Sequence, residues 1–335
     1  MTAILRKGRA LVAGGAGFLG SHLCEALLEQ GMEVICVDNF MSGHLANLEG
    51  ALTHPKFSYL EADVSAPLPA EVMERHFDEI YNLACPASPP IYQRDPEHTL
   101  LTSVLGTHQL LQLAERTGAR FLLTSTSEIY GEPLEHPQRE TYRGNVNPIG
   151  PRACYDEGKR AAETLAFDFE RMGRVQVRVV RIFNTYGPRL APDDGRVVSN
   201  LIKQIQGGGS LTIYGDGLQT RSFCFVADMI AGLITMMRYE GEQPGPINLG
   251  NPEEVSILEL AQRISQLTGV PIDLEFLPRP CDDPHRRRPD ITKAKTVLGW
   301  QPTVSLDQGL ASTISWFKTG SDADPLVTSG LEVLQ

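Results

Sequence analysis

The chain has 335 residues, 41% hydrophobic and 21% charged, enough apolar material for one large α/β unit or two domains and ordinary for a soluble globular protein. A net charge of −11, with cations scattered except in the run 285–288, argues against a nucleic-acid face; local arginines and helix N-termini still suit an anionic small molecule. Six widely separated cysteines without a CxxC pair argue against a metal or disulfide framework, predict no metal, and fit a reducing compartment.

The opening segment, MTAILRKGRALVAGG, has one short apolar run that breaks at glycines. It is too short for a membrane span and lacks a signal-peptide cleavage pattern, so a cytoplasmic protein without a membrane anchor is expected. RALVA (9–13) reads as a strand that runs into GGAGFLG (14–20), then into a helical pattern closed by Gly31. EVICV (33–37) is a second strand, and it ends at Asp38. This is the strand, glycine turn, helix, strand and acid order of a dinucleotide-binding unit. Gly14 permits the tight turn, Gly17 lets backbone approach a pyrophosphate, and Gly20 lets the helix pack close to the strand. The helix N-terminus offers free N–H groups to the phosphates. Asp38 is placed for the adenine ribose hydroxyls and repels a 2′-phosphate, which favours NAD over NADP. The GxxGxxG spacing resembles the extended short-chain dehydrogenase/reductase superfamily.

Strand and helix patterns keep alternating. FSYLE (57–61) leads to Asp63 and Val64, and a strand at 79–84 enters the proline loop CPASPP (85–90). A helix is predicted over 99–117, a strand over 120–125 leading into Ser125-Thr126-Ser127-Glu128, and a strand over 175–181. Between them, CYDEGK (154–159) sets Tyr155 and Lys159 four apart, one helical turn on one face. An ammonium held near a phenol favours the phenolate, so a tyrosine of ordinary pKa near ~10 can act as a base closer to neutrality. Taken alone, the same spacing fits an ordinary surface helix.

Beyond 190 the character changes. A helix through Lys203, turns around 214–217, Arg221, helices at 226–237 and 256–268, strands near 246–250 and 271–276, a basic turn at 284–289 and a closing helix near 305–317 follow. The expected fold is a Rossmann-type, doubly wound parallel sheet with a smaller C-terminal α/β lobe that binds substrate and covers the crevice. Residues 1–180 are expected to bind NAD, with 220–250 returning to that unit. Residues 181–318 are expected mainly to form that lobe, whose ligand the resemblance described next implies to be a nucleotide sugar, and 319–335 to form a frayed tail.

NLACPASP (82–89), STSEIYG (125–131), GNVNPIG (144–150), CYDEGKR (154–160), RIFNTYGPR (181–189), DGRVVSN (194–200), QTRSF (219–223) and RRPDI (287–291) together resemble the UDP-glucuronate decarboxylase, or UDP-xylose synthase, family. The likeness runs over roughly 8–318, and the acid of STSE, the ASP loop and the RRPDI turn carry its specificity. Arg143 stands where family members usually carry Trp, a change expected to alter a surface-loop contact.

The resemblance implies bound NAD, UDP-glucuronate as substrate, and a homodimer paired through the helix after Leu100 and the Tyr155 helix. No nucleic acid or membrane partner is expected. It implies that Tyr155 takes the C4 hydroxyl proton, Lys159 lowers the Tyr155 pKa and holds the nicotinamide ribose, and Thr126 hydrogen-bonds the C4 oxygen. Glu128 would lie near the sugar carboxylate, and Arg287 would bind that carboxylate and assist reprotonation at C5. Cofactor contacts are expected from Gly14, Gly17, Phe18, Leu19, Asp38, Asn39, Phe40, Ser42, Gly43, Asp63, Val64, Leu83, Ala84, Cys85, Thr102, Tyr155, Lys159, Thr185 and Arg196. Substrate contacts are expected from Pro86, Ser88, Tyr92, Glu128, Asn184, Val198, Lys203, Thr212, Tyr214, Arg221 and Arg287.

Three other readings share these motifs. A 4,6-dehydratase needs an Asp-Glu pair after the Thr, where this chain has Ser127-Glu128. A UDP-sugar 4-epimerase has no need of a carboxylate handler such as Glu128 with Arg287. A catalytically silent NAD-binding sensor or scaffold has no need of Thr126, Tyr155 and Lys159 intact.

Overall fold

In the computed structural model, which describes residues 8–278 and 286–320, seven parallel strands form the central sheet. The predicted N-terminal features before residue 8, the start of the basic turn and the tail beyond 320 lie outside the described residues. Six strands come in succession: β1 (Arg9–Ala13), β2 (Glu33–Asp38), β3 (Phe57–Glu61), β4 (Glu79–Asn82), β5 (Arg120–Thr126) and β6 (Val177–Ile182). The seventh is the late segment Ile247–Leu249, which pairs with β6. The order is this late strand, then β6, β5, β4, β1, β2 and β3, and every neighbouring pair is parallel. The winding reverses between β1 and β4, so the crevice outside their carboxyl ends is where such a sheet binds ligands.

Alternation along the strands builds two cores. Leu11, Ile35, Ile80, Phe121 and Val179 face the helices Thr107–Thr117 and Ala153–Arg171. Val12, Val34, Tyr81, Leu122 and Val180 face the opposite layer, with Leu23 and Leu27 of helix Phe18–Glu29 and Met229 and Leu233 of helix Val226–Met237. The central strands are buried on both faces, as parallel strands between helical layers must be. Beyond the sheet, Thr220–Ser222 pairs with Glu254–Ser256 and with Arg286–Arg287, and Leu211–Tyr214 pairs with Leu274–Leu277.

The predicted helix over 99–117 is not uniform. Helix Pro96–Leu101 passes through a π-helical turn, Thr102–Gly106, before helix Thr107–Thr117. The turn's i→i+5 hydrogen bonding is a property of the backbone that the residue pattern did not reveal. The helix Ala153–Arg171 packs closely here: a Cβ on Gly158 would lie 3.1 Å from the Ser103 Cβ.

Candidate active site

A crevice of about 790 Å³ opens across the carboxyl ends of β1, β2, β4, β5 and β6 and continues into the C-terminal lobe. At one end, backbone makes the site. Gly14 has φ +78°, and a Cβ there would press within 2.8 Å of the Leu83 carbonyl and the Ala84 nitrogen. A Cβ on Gly20 would lie 2.1 Å from the Gly14 oxygen. Gly17 caps helix Phe18–Glu29 without any side-chain hydrogen bond, so the first-turn N–H groups stay available to a phosphate.

The acids follow at the strand ends. Asp38 accepts from the Ala16 nitrogen at 2.9 Å and the Phe40 nitrogen at 2.8 Å. Burial raises its carboxyl pKa, against the pull of these backbone donors. Asp63 accepts from Asn39 Nδ2 at 2.9 Å and Ser65 Oγ at 2.6 Å, and its Oδ2 lies 2.6 Å from His98 Nε2. Burial opposes its ionisation, but these hydrogen bonds outweigh it and hold the group well below the usual carboxylate range. The crevice-lining hydroxyls Thr102 Oγ1 and Ser125 Oγ are buried without a partner. An uncapped glycine cradle, an acid at the end of β2 and unpaired lining hydroxyls fit a dinucleotide.

Nearer the middle, helix Ala153–Arg171 buries Tyr155 and Lys159 on the face that carries Ala162, Ala166 and Phe169. Lys159 Nζ donates to the Thr124 carbonyl at 2.9 Å, and burial lowers its pKa. Burial pushes the Tyr155 phenol well above its ordinary value; a hydrogen bond with Thr126 pulls the other way. Burial sets the direction of both shifts in the protein alone, up for the phenol and down for the ammonium.

At the other end, side-chain charge makes the site. Arg287 grips Glu128 with both Nη atoms, each at 2.6 Å, and Arg152 Nη2 adds a third contact at 3.0 Å. Residues 159 positions apart in sequence thus form a bidentate pair in one crevice. Arg221 is the register partner of Arg287 on the neighbouring strand and also lines the crevice. Arg196 donates from Nη2 to Asp194 at 2.9 Å, and the Ser88 hydroxyl bonds the Asp194 carbonyl, tying the proline loop to the loop before helix Val197–Gln206.

Most residues singled out from sequence line this crevice, including Phe18, Leu19, Asn39, Ser42, Val64, Leu83, Ala84, Cys85, Pro86, Asn184, Thr185, Val198, Thr212 and Tyr214. Four expected contacts do not. Tyr92 is 1% exposed and stacks on the Tyr155 ring, centroids 5.1 Å apart and planes 3° apart. Phe40 packs edge-on against Tyr59, Gly43 lies against Ala16, and Lys203 is exposed and pairs with Asp193. Arg143 is exposed, and its carbonyl accepts from Arg160.

Arg152 and His98 line the crevice and were missed. Arg152 did leave a signal: it stands at the N-cap of helix Ala153–Arg171, where the macrodipole disfavours a cation and Ser, Thr, Asp or Asn is usual.

The NAD dependent epimerase/dehydratase family profile matches residues 10–250. UDP-glucuronic acid decarboxylase 1 of Arabidopsis thaliana is 54% identical over 93% of this chain and 70% of its own length. UDP-glucuronic acid decarboxylase 5 of the same plant is 54% identical over 90% of this chain and 87% of its own. Among solved structures, UDP-glucuronic acid 4-epimerase from Bacillus cereus, in complex with UDP-glucuronic acid and NAD, superposes with a TM-score of 0.83 at 29% identity, over 93% of this chain and 100% of that one.

Proposed function

The chain belongs to the NAD dependent epimerase/dehydratase family, and from that membership we propose that it converts UDP-glucuronate to UDP-xylose and CO2. The observation that carries the acidic-sugar part of this reading is Glu128, Arg287 and Arg152 clustered in the crevice that also holds Tyr155 and Lys159. The cluster sits where an acidic sugar needs a partner for its carboxylate. An epimerase can also take an acidic sugar, as the Bacillus cereus protein in complex with UDP-glucuronic acid illustrates. The carboxylate handler alone therefore does not decide against epimerisation. The 54% identity to decarboxylases, against 29% to that epimerase, favours decarboxylation.

When bound, NAD supplies a hydride acceptor at C4 that later returns the hydride, and its nicotinamide charge favours the phenolate. Gly14, Gly17 and the first turn of helix Phe18–Glu29 hold its pyrophosphate, and Asp38 holds the adenine ribose. Tyr155 Oη takes the C4 hydroxyl proton while Thr126 Oγ1 hydrogen-bonds the C4 oxygen. The resulting ketone is β to the C6 carboxylate, so the C5–C6 bond breaks with its electron pair flowing into an enolate. The substrate carboxylate competes with Glu128 for Arg287 and Arg152, and Arg287 stays beside C5 to assist its reprotonation. Arg221 and Arg196 serve the phosphates.

In this reading residues 1–180 carry NAD, joined by a returning segment near 220–250, and 181–318 mainly hold the UDP sugar. The protein acts as a cytoplasmic homodimer. Leu100, Leu101 and Leu105, 38%, 37% and 42% exposed beside the Tyr155 helix, supply an apolar face for a second copy, and the five described cysteines, all free, suit a reducing compartment. No described helix is long and apolar enough to cross a membrane.

The test is incubation of purified protein with UDP-glucuronate, with and without added NAD, followed by product analysis. UDP-xylose with CO2 is expected. UDP-galacturonate would replace this reading with epimerisation.

A further inference from the structure

Asp156 follows the catalytic tyrosine yet has no role in the chemistry above. It is 7% exposed, and its Oδ1 is buried without a hydrogen-bond partner among the described residues. Its own N–H donates to the Arg152 carbonyl at 3.1 Å, so Arg152 and Asp156 lie one helical turn apart. The groups whose charge it feels come from several elements: Glu128 after β5, Arg287 on the short strand Arg286–Arg287, and Arg152 and Glu157 on its own helix. Its charge in turn bears on Tyr92, Cys154 and Tyr155.

Glu157 is paired with Arg160, which leaves Arg152, Arg287 and Glu128 as the charges bonded to one another here. Two guanidiniums and the Glu128 carboxylate leave one net positive charge. An ionised Asp156 would cancel it, and an incoming sugar carboxylate would then make the pocket anionic. A neutral Asp156 leaves the positive charge for the substrate to satisfy.

We propose that Asp156 is a positioning residue that is neutral whenever an acidic sugar is bound, so that above its own titration the binding of that sugar draws a proton from solvent onto it. The proposal rests on the reading of the substrate as a UDP-linked uronic acid. Its physical support is an unpaired buried oxygen, which a carboxylate tolerates poorly and a neutral acid tolerates better. Burial, then the Glu128 charge, pushes the Asp156 carboxyl up to about 8 against the pull of Arg152 and Arg287. A second anion beside it raises the group further, and the difference is taken up as protons.

The test is calorimetric binding of UDP-glucuronate to the NAD-loaded Tyr155→Phe protein, which holds the ground state, at about pH 8.5 in two buffers of different ionisation enthalpy. Expected is uptake of a substantial fraction of one proton with UDP-glucuronate and none with UDP-xylose, which lacks the carboxylate. Equal heats in both buffers overturn the proposal. In steady state, KM for UDP-glucuronate should rise by up to about tenfold per pH unit above pH 8, while Asp156→Asn, a mimic of the neutral acid, should show a flat profile. The same slope in Asp156→Asn also overturns it, and if that variant does not fold, the calorimetry decides alone. Binding with proton uptake but no CO2 release would sink the decarboxylase reading and leave this assignment standing.

Discussion

The two ends of the crevice are built from different materials. At the glycine turn, contacts are made by backbone: Gly14, Gly17 and Gly20 sit within seven residues, and the missing Cβ atoms are what create the space. At the sugar end, Glu128, Arg152 and Arg287 converge from separate parts of the chain, and paired charge makes the site. The first kind of site tolerates no added atom. The second tolerates no uncompensated charge. Substitutions at the two ends should therefore fail in different ways.

The largest effect is expected where the two ends meet. Tyr155→Phe removes the proton acceptor for C4 and should lower turnover of UDP-glucuronate by about 10²–10⁴-fold while NAD affinity, measured by fluorescence titration, stays within a few-fold. Next comes the charged end. Arg287→Lys cannot reproduce the two-pronged grip on Glu128 and leaves that half-buried acid with Arg152 as its remaining guanidinium partner. A loss of about 10²-fold in kcat/KM is expected for UDP-glucuronate, with binding of UDP unchanged in an equilibrium assay. A matching loss for UDP would show that the cluster is merely structural.

Smaller changes are expected at the glycine end. Gly20→Ala puts a methyl 2.1 Å from the Gly14 oxygen, and the turn must move. Stability should fall by about 1–3 kcal/mol in thermal unfolding, and NAD should bind about tenfold more weakly. The smallest effect is assigned to Asp38→Asn, which removes the charge facing a 2′-phosphate and should shrink the preference for NAD over NADP several-fold in competition binding. If Gly20→Ala spared NAD and selectively lost the acidic sugar, the contrast between the ends would collapse.

The same contrast explains what could be read without coordinates. The glycine cradle, Asp38, and the Tyr155–Lys159 pair were legible because each is written in a short window whose spacing is itself the geometry. The sheet followed from strand and helix periods, including the late strand Ile247–Leu249 that returns to it. Glu128 and Arg287 came only through family resemblance, since no local spacing connects residues 159 apart. Resemblance supplies positions but not side-chain directions: Tyr92 was expected to reach the sugar and instead braces the Tyr155 ring, and Lys203 turns to Asp193. The upward push of burial on the Tyr155 phenol also escaped a reading based on spacing, because desolvation is a property of the folded surroundings.

The central claim is that one crevice oxidises C4, releases C6 as CO2 and reduces C4 again with the same hydride. The most direct measurement is conversion of UDP-glucuronate deuterated at C4, with the product read by NMR. UDP-xylose that keeps the deuterium at C4, with CO2 released and no net NADH formed, is the predicted result. UDP-galacturonate with its carboxylate intact, or UDP-xylose whose C4 deuterium has been lost to solvent, would contradict it.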